Sequence, residues 1–225
     1  MRRIDLLDMI EEGENLYIEF KQKFSSPEKI AKEMIAFANT KGGYMIFGVD
    51  DNKRVIGVES EKSESSMITE AAEKYCTPPI AHEIHYFEID GKELVVAEIE
   101  ESPFKPHRIT DYKDELDILT AQVYIRVEDK SIPASKEMLR IMRAEISGKP
   151  LIKYTIGDLE KKAFDLLSKN AYISVQSFSE KCNISHRRAS RTLVKMVRAG
   201  LLVIHTKDNG EEFFTDRLSE GFKKI

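Results

Sequence analysis

The chain has 225 residues, 41% hydrophobic and 33% charged, with a formal net charge of −4. That composition suits one large globular domain or two smaller ones and excludes collagen-like, mucin-like and disordered classes. Residues 151–225 hold 14 Lys+Arg against 9 Asp+Glu, a balance of +5, which leaves −9 for residues 1–150 and points to two domains with different partners.

Ile4, Leu6, Leu7 and Ile10 predict a short first helix, stopped at Gly13. Asp5 and Asp8 interrupt this stretch, so it is no signal-peptide core, and no run approaches the roughly 18 apolar residues of a membrane span. Cys76 and Cys182 stand far apart with no CxxC or Cys/His pairing, which argues against a zinc ribbon. The expectation is a soluble, cytoplasmic protein with no membrane contact. From Glu14 to Lys21, Leu16, Ile18 and Phe20 alternate with Tyr17, Glu19 and Lys21, predicting a half-buried strand with Glu19 and Lys21 opposite the core. Ser26-Pro27-Glu28 is a helix start, with Ser as N-cap, Pro at the first helical position and an acid in the first turn.

That helix runs through Met34, Ile35, Phe37 and Ala38 and is broken by Asn39-Thr40-Lys41-Gly42-Gly43, where glycine supplies the backbone a helix exit needs. Tyr44 to Val49 is an apolar strand, and Asp50-Asp51-Asn52-Lys53 connects it to Arg54–Val58 as a hairpin with two acids at its tip. A helix follows over Glu64–Tyr75, stopped by Thr77-Pro78-Pro79. Ile84–Ile89 and Leu94–Ile99 flank Asp90-Gly91 as a second hairpin. Ser102 to Arg108 is a loop, Asp111–Asp117 is too polar for a core, and Gln122–Val127 is another strand. Ser135 caps a helix on Met138, Leu139, Ile141 and Met142, and Gly148-Lys149-Pro150 marks a boundary. Strands in hairpins interleaved with helices predict an α+β domain with a mixed or largely antiparallel sheet over 1–147, a linker at 148–154, and a second domain over 155–225.

In the second domain, Leu159 to Leu167 predicts one helix, Val175–Lys181 another capped by Ser174, and His186–Ala199 a third, with Ala189, Leu193, Val194, Met196 and Val197 inward. Leu201–Thr206, the Asp208-Asn209-Gly210 turn and Glu211–Thr215 complete a β-hairpin. Three helices and a hairpin resemble the winged helix-turn-helix family over about residues 155–216. The third helix exposes His186, Arg187, Arg188, Arg191, Lys195 and Arg198, with Ser190 and Thr192 as possible helpers. No acid occurs between Cys182 and Lys207. Such a face suits DNA, with N-terminal side chains at base edges and Lys or Arg on phosphates; a solvated face used for protein contacts is the alternative.

The order Glu14-x4-Glu19-Phe20-Lys21, Ala36-Phe37-Ala38-Asn39-Thr40-x-Gly42-Gly43, Phe47-Gly48-Val49-Asp50-Asp51, Ile56-Gly57, Pro78-Pro79, Lys105-Pro106-His107 and Tyr124-Ile125-Arg126-Val127 resembles the Schlafen AlbA-like domain. That domain has also been described as a divergent AAA-type DNA-binding domain. The resemblance covers about residues 10–143; the family often has Gly after the YIRV strand, where this chain has Glu128-Asp129. It implies either a nucleic-acid-binding module of a transcriptional regulator, or a tRNA- or rRNA-cleaving endoribonuclease. In the latter, Glu14, Glu19 and Asp51 match three carboxylates that could hold Mg²⁺ or Mn²⁺, and Lys21 matches a nearby basic residue. The same acids read without the family are solvated groups, with Asp51 stabilising its turn. The partners expected are DNA at the third helix, structured RNA under the nuclease reading, and a second copy of the chain; a protein-interaction module is the third class. No GxxxxGK[ST] segment exists for an ATPase. Among the histidines, His82-x-x-His85 is the one paired metal-ligand spacing.

Overall fold

The computed structural model describes residues 1–146 and 154–217. It divides into two compact units, Met1–Ala134 and Ser135–Ile225. The division falls before the helix that ends near Ile146, earlier than the Gly148-to-Pro150 punctuation predicts. That helix packs on the third helix of the basic unit, and tertiary contact outranks local punctuation.

The first unit is α+β. Its elements are α1 (Arg3–Glu12), β1 (Ile18–Lys21), α2 (Pro27–Asn39), β2 (Gly43–Phe47), α3 (Glu61–Lys74), β3 (Cys76–Thr77), β4 (His82–Ile89), β5 (Lys92–Ile99), β6 (Arg108–Ile109), β7 (Tyr124–Val127) and β8 (Lys130–Pro133). The main sheet has the order β1-β2-β5-β4, with β1 parallel to β2 and the other pairs antiparallel. β3 pairs with β6, and β7 with β8. Side-chain alternation sorts the sheet into two cores. On one face Ile18, Phe20, Ile46, Leu94 and Val96 pack with Leu6 and Ile10 of α1. On the other, Met45, Phe47, Val95, Ala97 and Ile99 pack with Ile30, Met34, Ile35 and Phe37 of α2 and Ile68, Ala71 and Ala72 of α3. Each fully buried large side chain, Phe37 and Phe47 among them, contributes about 1.5–3 kcal/mol.

The predicted strand from Glu14 shortens to Ile18–Lys21, because Glu14 turns back and its Oε1 accepts the Phe20 N–H at 2.9 Å. The predicted hairpin at 50–58 reduces to a single bridge, Val49 with Val55. Here the Asp50 side chain takes the place of a ladder: Oδ1 accepts the Asn52 and Arg54 N–H groups, each at 2.9 Å. Gly42, at φ 69°, leaves the helix as expected. Gly43 has a second reason: a Cβ there would stand 2.5 Å from the Tyr17 carbonyl oxygen and the Phe37 ring. Only glycine lets β2 start so close to the chain entering β1.

The second unit contains α4 (Lys136–Ile146), α5 (Asp158–Lys169), α6 (Val175–Cys182), α7 (His186–Arg198), β9 (Leu202–Thr206) and β10 (Glu212–Asp216). Ala163, Val175, Phe178, Ala189, Leu193, Met196, Leu202 and Phe214 form its core. β9 and β10 are an antiparallel hairpin. Among the described residues no helix is long and apolar enough to cross a membrane.

Candidate nucleic-acid interface

α7 begins at Ser185, whose Oγ accepts the Arg188 N–H at 3.3 Å, and its first turn carries no acid. Ala189, Leu193 and Met196 are fully buried against the rest of the unit. The helical period then leaves His186, Arg187, Arg188, Arg191, Lys195 and Arg198 exposed on the opposite side. The residues at the start of the helix add their charge to the positive end of its dipole, where anions are favoured. Ser190 and Thr192 are buried instead of assisting. Ser190 Oγ donates to Glu137 of α4 and accepts from Arg140 Nη1 at 3.0 Å, so it ties two helices together.

The carboxylates of the first unit are arranged differently. Glu19 is 8% exposed and not on a solvent face. Its Oε2 accepts from Arg126 Nη1 at 2.8 Å and its Oε1 from Lys21 Nζ. Arg126 also donates through Nη2 to the Asn15 carbonyl at 2.7 Å, lies 3.5 Å from Glu33, and stacks its guanidinium 4.6 Å from the Phe37 ring centroid. Glu14 is pushed up by burial, with the Phe20 N–H opposing and the charges of Glu19 and Asp51 adding. Asp51 is exposed. Glu14, Glu19 and Asp51 thus share a neighbourhood but do not fit a divalent ion as arranged, because both Glu19 oxygens already meet cations. Among the described residues, the group that brings three ligand atoms within 4.8 Å of one another is Glu83, His85 and Glu98. Sequence spacing hid it, since Glu98 lies on β5 and reaches Glu83 only through strand register.

The predicted His82/His85 pair is separated: three residues along a strand put the two rings on opposite faces. His82 Nε2 lies 3.2 Å from Thr69 Oγ1 of α3. His85 Nε2 lies 2.7 Å from Glu98 Oε2.

Several residues of the motif string form one buried polar staple. Asn39 Nδ2 donates to the carbonyls of His107 at 2.9 Å and Tyr124 at 3.0 Å, and its Oδ1 accepts the His107 N–H at 2.7 Å. Thr40 Oγ1 accepts the Arg126 N–H at 2.9 Å. His107 Nδ1 is 2.8 Å from the Pro78 carbonyl, which can only accept, so Nδ1 carries the proton and Nε2 accepts from Ser102 Oγ at 2.7 Å. Burial lowers the His107 pKa and keeps the ring neutral for this role, although the Pro78 bond opposes it. The end of α2, the loop after β5 and β7 are held together by these bonds.

A family model described as "Schlafen, AlbA_2" matches residues 14–135. An uncharacterised ATP-binding protein of Ureaplasma parvum serovar 3 is 36% identical over 87 residues, which cover 36% of this chain and 24% of that protein. The chain therefore spans about a quarter of the length of that curated relative. Among solved structures, the N-terminal domain of an ATP-dependent DNA helicase RecG-related protein from Nitrosomonas europaea is 26% identical with a TM-score of 0.43, covering 52% of this chain and 84% of that one. A crystal structure of a Corynebacterium diphtheriae protein is 16% identical with a TM-score of 0.46, covering 90% of this chain and 34% of that one.

Proposed function

The chain belongs to the Schlafen AlbA_2 family, and from that premise we propose that it is a nucleic-acid-binding protein whose second unit acts as a winged helix-turn-helix and binds duplex DNA, in the manner of a transcriptional regulator. Nucleic-acid binding is the coarse function that membership supports. One observation carries the finer reading: α7 turns five Arg and Lys side chains and His186 to solvent in a stretch, 183–206, that holds no acid. A helix of 13 residues is about 20 Å long, enough to lie in a major groove with its N-terminal side chains at base edges. The β9–β10 hairpin then takes the place of the wing.

The metal-dependent ribonuclease reading has less support, because Glu19 is engaged by Arg126 and Lys21. Replacing Arg187 and Arg191 together with Ala tests the DNA reading. Affinity for duplex DNA in an anisotropy titration should fall at least tenfold with the fold intact by circular dichroism; unchanged affinity removes the helix from the interface. A single recognition helix reads one half-site, so we also place two copies of the chain on a two-fold symmetric target. Light scattering on the DNA complex should give the mass of two chains plus one duplex, and one copy per duplex would contradict it.

A further inference from the structure

The β4–β5 hairpin carries a cluster that the nucleic-acid reading does not use. Register sets Glu83 directly opposite Glu98, and His85 two residues along the same face of β4. Tyr44 of β2 continues the row on the other side of Glu98, with its hydroxyl donating to Glu98 Oε1 at 3.0 Å. These residues lie on the α1 face of the sheet, where Tyr44 borders the apolar core. Glu19, paired with Met45, belongs to the opposite face.

Like charges directly opposed on neighbouring strands repel each other. His85 Nε2 stands 2.7 Å from Glu98 Oε2, and one ligand atom each from Glu83, His85 and Glu98 lies within 4.8 Å of the others. We propose that Glu83, His85 and Glu98 form a site for a divalent transition-metal ion of the zinc class. The donor set decides the class: an imidazole nitrogen with two carboxylate oxygens suits Zn²⁺, whereas Mg²⁺ and Ca²⁺ favour oxygen alone. Bonds of about 2.0–2.2 Å would bring exposed Glu83 inward by a change of rotamer, while the ion takes the place of the proton shared between His85 Nε2 and Glu98 Oε2 and sets those two atoms somewhat farther apart. β4 is an edge strand, so solvent reaches the ion, and water completes the coordination. The Tyr44 hydroxyl, donating to Glu98 Oε1, orients that carboxylate from behind, as outer-shell partners of metal ligands do.

The test uses the untagged, chelator-stripped full chain titrated with Zn²⁺ by calorimetry, alongside thermal melts with Zn²⁺ or Mg²⁺. One tight equivalent of Zn²⁺ is expected, with a raised melting temperature that Mg²⁺ does not reproduce. His85→Gln and Glu98→Gln should each lose that equivalent while their metal-free melting temperatures stay near wild type. Tyr44→Phe should bind about tenfold more weakly, and Cys182→Ser should bind as wild type. Absence of binding in the wild type, retention of the tight equivalent in His85→Gln, its loss in Cys182→Ser, or an equal response to Mg²⁺ would each overturn the assignment.

Discussion

Arg126 brings a full charge to a place where 1% of its side chain meets solvent, and it is held there by Glu19, Glu33, the Asn15 carbonyl and the face of Phe37. Removing one partner of such a pair leaves an uncompensated buried charge. Arg126→Met should therefore destabilise the first unit by about 3–5 kcal/mol in chemical denaturation, and Glu19→Gln added to it should recover part of the loss. Wild-type stability in the single variant would refute this account of the cluster. Alternation along Leu16 to Lys21 correctly grouped Glu19 with Lys21, yet it placed them toward solvent. Period tells which residues share a face and says nothing of a second layer; here α2, the next element in the chain, and β7, far along it, cover that face. Glu128 offers a second test at this scale. It sits at φ 54° in the turn between paired Val127 and Lys130, where an L-residue is strained by about 1–2 kcal/mol. Glu128→Gly should raise stability by about 1 kcal/mol or somewhat less, since glycine also loosens the unfolded chain; an unchanged or lowered melting temperature would contradict it.

At the scale of elements, helices were legible because their apolar spacing and caps are local. Ser26, Ser174 and Ser185 each accept the N–H three residues on, as N-cap residues do. Strand ends were less legible, because side chains such as those of Glu14 and Asp50 compete for backbone N–H groups that a pattern assigns to a ladder. The β9–β10 hairpin supplies a pH test. Glu212 is pushed up to about 7 by burial, with the Ser135 hydroxyl opposing and the Glu137 charge adding. Its folded value lies above the ordinary 4.5, so the stability it lends is fully present below pH 4.5 and is lost as pH rises through about 7. From this group the second unit should lose about 1–3 kcal/mol between pH 5 and pH 8. Glu212→Gln should flatten the profile of melting temperature against pH over that window, and an unaltered slope would remove Glu212 as its source.

For the whole molecule, opposite net charges in the two parts of the sequence foreshadowed two units, and the motif string identified the family of the first. The boundary was not legible, because α4 lies beside the Gly/Pro signal in sequence while its contact with α7 is tertiary. The Glu83, His85 and Glu98 grouping was equally hidden, since it depends on the pairing of β4 with β5. Duplex binding by α7 is the central claim, and it is electrostatic in origin. The five Arg and Lys side chains of that helix contribute at most about 4.5 per copy to the magnitude of the slope of log affinity against log salt, at about 0.9 per phosphate contact. The most direct measurement is that slope, taken by anisotropy on duplex DNA for the wild type and for Arg187→Ala with Arg191→Ala. The account predicts a steep wild-type slope that becomes shallower by up to about 1.8 per copy in the double variant, with weaker binding at every salt concentration. A wild type whose affinity ignores salt, or a double variant with the same slope and affinity, would contradict it.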